Sequence, residues 1–187
     1  MKIIAGKFKN RVIPTLKNSD YRPSTTKFRE ALFSILTSGQ FMDSGIIEDA
    51  KVLDLFAGSG SLSLEALSRG ASHITLIDNN KDSLELINQF AKKIDCVDSI
   101  KTVNADAKNL PRSTQKFSLI FMDPPYHKNY VGKALHSLVS NEWLEVGAII
   151  AIEISKFDKL KLRNEFEILK EKVYGNNRLL VLRYGQK

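Results

Sequence analysis

The sequence predicts an α/β protein built on a seven-stranded, mostly parallel sheet that ends in an antiparallel hairpin. From residue 51 onward, short apolar segments alternate with segments of helical periodicity. This alternation is typical of a parallel sheet covered by helices on both faces. At the end of the chain, two segments of alternating polarity flank "YGNN", a pattern that favours a hairpin turn.

The first 45 residues are predicted to form an extension of this core. The segment "KIIAGKFKNRVIPTL" has β-branched residues on both sides of a glycine-containing turn, so we expect a β-hairpin. The segment "RPSTTKFREALFSIL" has apolar residues at helical spacing, and Ser24 or Thr25 can cap that helix. A polar, glycine-bearing segment follows. We therefore divide the chain into an extension, 1–45, and a core domain, 46–187.

The remaining elements each have a local signal. Strands are predicted at "KVLDLFAG", "HITLID", "IKTVNAD", "FSLIFMD" and "AIIAIEI", which are short and apolar. Helices are predicted at "SLSLEALSRG", at "KDSLELINQFAKKI" and around residues 130–143. Gly147 precedes the last parallel strand in this interpretation.

Composition excludes several classes of protein. Hydrophobic residues are 43% and charged residues 26% of 187, values of a folded globular chain. We find no apolar run long enough to span a bilayer and no signal peptide, and expect a cytoplasmic protein without a membrane partner. One cysteine and three scattered histidines predict neither an internal disulfide nor a metal site.

The positive charge is concentrated near the N-terminus. Residues 1–30 hold eight Lys and Arg residues against two acidic ones, which is +6 of the chain's net +7. A basic segment on a nearly neutral body suggests contact with nucleic acid phosphates. Lys7, Lys9 and Arg11 in the predicted hairpin are the candidate RNA contacts. The alternative is a solvated basic arm.

A glycine loop predicts the site of an adenosine cofactor. Gly58 and Gly60 follow the first core strand and precede a helix, and Asp78 ends the next strand 20 residues after Gly58. That spacing suits a carboxylate that accepts the hydroxyls of a ribose, although Asp78 could instead cap the following helix. Four further residues are candidate cofactor contacts: Phe56, Ser59, Asn79 and Ala107.

Two residues distinguish S-adenosylmethionine from a dinucleotide. Ser63 occupies the position of the third fingerprint glycine, and Asp54 lies just before the loop. A carboxylate there would repel a pyrophosphate but would attract the cationic methionine end of S-adenosylmethionine. Asp106, at the end of the third strand, could accept a hydrogen bond from the adenine amine. Turn-forming roles remain open for Asp54 and Asp106.

The motif "DPPY", residues 123–126, ends the fourth strand. Asp123 and the carbonyl of Pro124 could accept the two N–H bonds of an exocyclic amine on a base, and so direct its lone pair at a methyl group. Pro124 and Pro125 stiffen the backbone, and Tyr126 offers a ring on which the base can stack. His127 could line the base pocket or contact a phosphate, or could simply begin a helix.

These motifs together resemble a known family. The chain is similar to class I S-adenosylmethionine-dependent methyltransferases, which have a Rossmann-like fold, and within them to bacterial small-subunit (16S) ribosomal RNA guanine-N2 methyltransferases of the RsmD type. The narrowest signals are the N-terminal hairpin and the R-P-S/T segment with the R-E-x-L-F that follows it. D-P-P-Y alone marks amino methyltransferases in general.

The resemblance implies methylation of a guanine exocyclic amine in small-subunit ribosomal RNA, in an assembled or assembling 30S particle. It also implies that Arg22, Pro23 and Thr25 lie near the methionine end of the cofactor. We also expect a monomer. Two alternatives remain open. One is an adenine-N6 methyltransferase that acts on DNA or RNA, and the other is a non-catalytic ribosome assembly factor. An NAD-dependent oxidoreductase is disfavoured by Asp54 and Ser63.

Overall fold

The predicted alternation of strands and helices is present in a computed structural model, which describes residues 1–16, 25–38, 45–125 and 130–185. The helices are α1 (Thr26–Thr37), α2 (Ser61–Ser68), α3 (Lys81–Lys93) and α4 (Tyr130–Ser140). The strands are β1 (Lys51–Leu55), β2 (His73–Asp78), β3 (Ile100–Asn104), β4 (Phe117–Met122), β5 (Leu144–Ser155), β6 (Phe166–Tyr174) and β7 (Asn177–Tyr184).

The strands form one seven-stranded sheet in the order β3-β2-β1-β4-β5-β7-β6. The first five pair in parallel, whereas β7 runs antiparallel to both β5 and β6. The predicted mostly parallel sheet with a C-terminal antiparallel hairpin is therefore confirmed. The strand order reverses beside β1, so the carboxyl ends of β1 and β4 flank the crevice where ligands bind in such sheets.

The sheet is covered on both faces by hydrophobic clusters. Along β1, Val52 belongs to one cluster while Leu53 and Leu55 belong to the other, because successive side chains of a strand point to opposite faces. The first cluster includes residues of α1, α2 and α3, and the second includes residues of α4. None of the helices in the described ranges is long and apolar enough to cross a membrane.

Strand β5 begins earlier than predicted. It starts at Leu144 and runs through Gly147, which adopts a φ of 85°. Phe117 of β4 pairs with Leu144, and the register then shifts before Leu119 pairs with Ile149. Such a bulge absorbs extra residues in one strand. The glycine that seemed to precede the strand therefore lies inside it.

The N-terminal hairpin is present but is held by one antiparallel bridge, between Lys2 and Val12, rather than by two full strands. Its Ile3 and Phe8 side chains belong to the same cluster as α2. Thr25 caps α1 as predicted, since its Oγ1 accepts a hydrogen bond from the Phe28 N–H at 3.2 Å. Pro23 and Ser24 lie outside the described residues. The division at residue 45 stays a prediction.

The hairpin docks on α2 through a buried carboxylate. Glu65 is fully buried, and its two oxygens accept the backbone N–H groups of Ile4 (2.7 Å) and Ala5 (3.0 Å). Arg69 Nε donates a third bond to Glu65 at 2.8 Å. At Gly6 an added Cβ would lie 1.7 Å from the Ser68 carbonyl oxygen. Only glycine therefore permits this close approach between hairpin and helix.

Candidate active site

A cavity of about 730 Å³ opens at the carboxyl ends of the parallel strands. That volume lies within the range of small-molecule and cofactor sites. Most of its wall comes from the segments that follow β1, β2, β3 and β4. The lining residues include Phe56, Gly58, Ser59, Asp78, Asn79, Asp106, Ala107, Asp123 and Pro125 from the sequence-predicted set. The structure thus brings these nine predicted residues together around one space.

The loop after β1 has a constrained backbone. Phe56, Gly58 and Gly60 have φ angles of 63°, 52° and 70°, in the left-handed region that is uncommon for a bulky side chain such as Phe. Gly60 does not line the cavity. An added Cβ there would lie 2.7 Å from Leu76 Cδ2 and 3.3 Å from Ile87 Cδ1. Gly60 therefore lets the loop and α2 pack closely on β2 and α3.

Asp78 lies on the cavity wall with both carboxylate oxygens held. Oδ2 accepts the Gly58 N–H and Oδ1 accepts the Asn80 N–H, each at 2.8 Å. Since a carboxylate offers about four acceptor sites, each oxygen keeps capacity for a further donor. The cap of α3 is not Asp78 but Asn80, whose Oδ1 accepts the Ser83 N–H at 3.0 Å.

Asp54 lies behind the loop rather than in the cavity wall. Only 2% of its surface is exposed, and its Oδ2 accepts the Ser63 hydroxyl at 2.8 Å and the Ser63 N–H at 3.4 Å. Burial raises the pKa of the Asp54 carboxyl from 3.8 to about 7. The Ser63 hydrogen bonds oppose this rise, and the charges of Asp123 and Asp78 add to it.

The wall beyond β3 contains an aromatic and a lysine that the sequence reasoning missed. Tyr130, the first residue of α4, stacks on Phe56 with ring centroids 6.0 Å apart and planes 6° apart. Lys108 Nζ lies 4.2 Å from the Tyr130 ring centroid and 3.3 Å from Asp106 Oδ2. The one available signal was that Tyr130 begins the helix just after "DPPY".

The first part of that motif lies at the switch point. Asp123 is half-buried and lines the cavity, Pro124 is buried, and Pro125 is exposed at the rim. Because β4 pairs with β1, this acceptor-rich turn adjoins the glycine loop. Tyr126 and His127 lie outside the described residues, so their predicted roles stay predictions.

The N-terminal extension reaches the cavity by a different segment from the one expected. Thr25 is exposed and does not line the cavity, and Arg22 lies outside the described residues. Instead, the chain leaving the hairpin contributes to the wall through Pro14, Thr15 and Leu16. The predicted RNA contacts, Lys7, Lys9 and Arg11, are exposed on the hairpin and are not part of the cavity wall.

Comparison with known proteins identifies the family. The protein-family model described as conserved hypothetical protein 95 matches residues 1–183. An uncharacterised methylase of Rickettsia prowazekii is 40% identical, over 99% of this chain and 98% of that protein. Ribosomal RNA small subunit methyltransferase D of Haemophilus influenzae is 32% identical, over 94% of this chain and 89% of that protein.

Comparison with solved structures gives the same result. A solved structure of a putative methyltransferase from Escherichia coli matches with a TM-score of 0.84 and 27% identity, over 100% of this chain and 99% of that one. The expected Rossmann-like methyltransferase fold is thereby confirmed, and so is the resemblance carried by the hairpin, the glycine loop and "DPPY". The chain belongs to the conserved hypothetical protein 95 family, as a relative of the ribosomal RNA small subunit methyltransferase D proteins.

Proposed function

We propose that this protein transfers a methyl group from S-adenosylmethionine to the exocyclic N2 amine of a guanine in small-subunit (16S) ribosomal RNA. Its family relatives named ribosomal RNA small subunit methyltransferase D support the cofactor-dependent methylation of ribosomal RNA. One structural observation carries the proposal. A single cavity has Asp78 on its wall after β2 and Asp123 on its wall after β4, which suits a ribose acceptor and an amine acceptor respectively.

The cavity fits the cofactor in its hydrogen-bond acceptors as well as in its volume. Asp78 has acceptor capacity left for the two ribose hydroxyls after its bonds to Gly58 and Asn80. Asp106 and Ala107 line the neighbouring wall and would adjoin the adenine. Four acidic side chains in or behind the wall suit a ligand that carries positive charge and no phosphate: Asp78, Asp106 and Asp123 on the wall and Asp54 behind it.

S-adenosylmethionine, when bound, supplies a methyl group on a positively charged sulfur. The chain's own residues prepare the amine, whose lone pair is otherwise delocalised into the base. Asp123 and the Pro124 carbonyl accept its two N–H bonds, which fixes the lone pair and offsets positive charge that develops on nitrogen. Asp123 is also the acceptor for the proton that the amine loses. Tyr126 would stack on the target base, which must first leave any helix.

The RNA is held outside this cavity. Lys7, Lys9 and Arg11 on the hairpin would contact phosphates, while the core domain from residue 46 binds the cofactor. The substrate is the assembled or assembling 30S particle in the cytoplasm, and the enzyme acts as a monomer. Exposure of all three basic side chains supports their part of this proposal.

The deciding experiment uses small subunits that lack the modification and S-adenosylmethionine labelled in its methyl group. Nucleoside analysis should give labelled N2-methylguanosine. Labelled N6-methyladenosine would instead support the adenine enzyme. Cofactor binding with no transfer to any ribosomal RNA, by a protein that still binds the subunit, would support the non-catalytic assembly factor.

A further inference from the structure

The loop that joins β5 to β6, residues 156–165, lies beside the reacting end of the candidate site. Met122 of β4 pairs with Ile152 of β5, so Asp123 is level with Glu153. Lys156 follows Glu153 by three residues. At about 3.3 Å per residue, the loop therefore begins about 10 Å beyond Asp123 along the strand direction.

An exposed aromatic side chain lies on a fixed turn at the start of this loop. Phe157 is 72% exposed, although its backbone is tied down on both sides. The Lys156 N–H donates to the Asn176 carbonyl at 2.9 Å, and the Asp158 N–H donates to the Ser155 carbonyl at 3.0 Å. The Phe157 N–H donates to Ser155 Oγ at 3.3 Å. The ring is therefore presented to solvent by a defined backbone rather than by a loose one.

The other exposed large hydrophobic side chains in the described part of the chain are aliphatic: Val12, Val97, Val146, Ile168 and Val173. Single exposed aliphatic residues are normal on protein surfaces. Phe157 differs from them because a flat ring can stack on any base, and base stacking on an aromatic is the usual way in which proteins hold unpaired nucleotides.

The loop that carries the ring also carries three exposed lysines. Lys156 Nζ lies 5.0 Å from the Phe157 ring centroid. Farther along the loop, Leu160 and Leu162 pack against the hydrophobic cluster that contains α4, which turns the alternating Lys159 and Lys161 outward to solvent. Within the ranges that the structure describes, none of these three lysines forms an ion pair.

We propose that this loop is a second RNA-binding surface, in which Phe157 stacks on an unpaired base near the methylated one while Lys156, Lys159 and Lys161 contact the adjoining phosphates. This inference rests on the proposed function, since it takes the same RNA as substrate. A second copy of the chain is a poorer occupant. A twofold contact through this patch would bring like charges together, which is unfavourable at an interface.

The ring is tested by a graded series at Phe157. Phe157→Ala should weaken binding of a fluorescently labelled, unstructured RNA 12-mer by about 5- to 150-fold, which is the range for loss of one stacked base. Phe157→Tyr, which keeps the ring, should bind within about twofold of the parent chain. Val146→Ala is the control and should leave binding unchanged. It trims a side chain that is 81% exposed and lies near the amino end of β5, the strand that precedes the loop.

The lysines are tested by a matched pair of triple variants. Replacement of Lys156, Lys159 and Lys161 by Ala should make the negative slope of log affinity against log salt shallower by about two. Each phosphate contact on single-stranded RNA contributes about 0.7 to the steepness of that slope. The control replaces Lys51, Lys101 and Lys116, which are exposed at the opposite, amino-terminal edge of the sheet. It removes the same charge and should change the slope much less.

Methylation kinetics on small subunits separate this inference from the proposed function. Phe157→Ala should raise KM for the subunit and leave kcat and S-adenosylmethionine affinity near the parent values, because stacking outside the cavity acts equally before and during transfer. Equal 12-mer affinity and equal KM for Phe157→Ala and the parent would overturn the role of the ring while the proposed function stands. A parent chain that methylates no subunit would overturn the proposed function, and the 12-mer series would still decide the loop. Concentration-dependent dimerisation abolished by Phe157→Ala would assign the patch to self-association.

Discussion

Two buried carboxyl groups that adjoin helix α2 have different surroundings. Glu65, in the second half of α2, accepts two backbone N–H groups from the hairpin and one N–H from Arg69. Asp54, in the strand that leads to α2, accepts hydrogen bonds from Ser63, its one hydrogen-bond partner within the described residues, and the charges of Asp123 and Asp78 help to raise its pKa. The first carboxylate docks the hairpin, and the second lies behind the cavity.

The two sites differ in how well hydrogen-bond donors compensate a buried carboxyl group. A buried carboxylate is stable when several donors satisfy it, and costly when few do. In the hairpin dock, three N–H groups donate to Glu65 and fix the position of the hairpin on α2. Behind the cavity, burial raises the pKa of Asp54 to about 7 because the Ser63 hydrogen bonds oppose it only in part, and shifted pKa values are common where ligands bind.

The largest effect on stability is expected from a substitution of Glu65, which holds the hairpin on α2. Glu65→Gln places an amide NH₂ group where an oxygen now accepts a backbone N–H, and removes the buried negative charge that pairs with Arg69. We expect the free energy of unfolding to fall by about 3–5 kcal/mol, measured by urea denaturation. Glu85→Gln, at an exposed site on α3, is the control and should change it little. Equal stability of the two variants would mean that Glu65 does not hold the hairpin.

At the other region, the expected effect is on turnover rather than on stability. Asp123→Ala removes an acceptor for the amine and should lower the single-turnover rate by about 100-fold or more, while S-adenosylmethionine affinity stays within a few-fold. Rapid-quench assays and calorimetry on the same variant measure the two quantities. Asp98→Ala, exposed near the opposite edge of the sheet, is the control. Normal turnover would remove Asp123 from the mechanism.

The raised pKa of Asp54 predicts that the stability of the fold depends on pH. With its pKa raised from 3.8 to about 7, the folded chain keeps a proton on Asp54 in a range where the unfolded chain has released it. The free energy of unfolding should therefore fall as pH rises through this range. Between pH 5 and 8 the contribution of Asp54 to the free energy of unfolding should fall by about 3 kcal/mol.

Asp54→Asn isolates that contribution, because the amide oxygen can still accept the Ser63 hydroxyl and the side chain cannot titrate. Denaturant titrations of both proteins at pH 5 and pH 8 give the measurement. The parent should lose about 3 kcal/mol more than the variant over this interval. Identical losses would show that Asp54 is ionised throughout.

The smallest effect concerns the exposed face of the docked hairpin. Replacement of Lys7, Lys9 and Arg11 by Ala should weaken binding to the small subunit by about 10-fold at moderate salt and flatten its salt dependence. S-adenosylmethionine affinity should not change, because these side chains lie outside the cavity wall. The Lys51, Lys101 and Lys116 triple variant is the matched control. A salt slope equal to that of the parent would make the hairpin a solvated surface.

Local patterns predicted most of the fold because hydrophobic periodicity and glycine placement are local properties. Helix α3, the Thr25 cap and the antiparallel end of the sheet followed from them. The start of β5 did not, since it depends on a bulge against β4. A bulge is a relation between two strands, and one strand's sequence does not specify it.

At the site, residues at strand ends were predictable because parallel strands deliver their carboxyl ends to one edge. Long-range contributions were not. Pro14, Thr15 and Leu16 reach the cavity because Glu65 docks the hairpin on α2, and the loop that carries Phe157 leaves the sheet on the same side as Asp123 because β5 pairs in parallel with β4. The wall position expected for Asp54 also failed to appear, because Ser63 holds that carboxylate behind the loop.

The docking of the hairpin also bears on the order in which the chain can fold during synthesis. Ile4 and Ala5 donate to a side chain that lies 61 and 60 residues farther on, so they leave the ribosome before their acceptor exists. Contacts of such long sequence separation form late, because loop closure must precede them. The cavity is complete only after this step, since residues 14–16 form part of its wall. A nascent chain with its first strands already paired would therefore acquire a complete cofactor site only when its earliest-made residues return to dock.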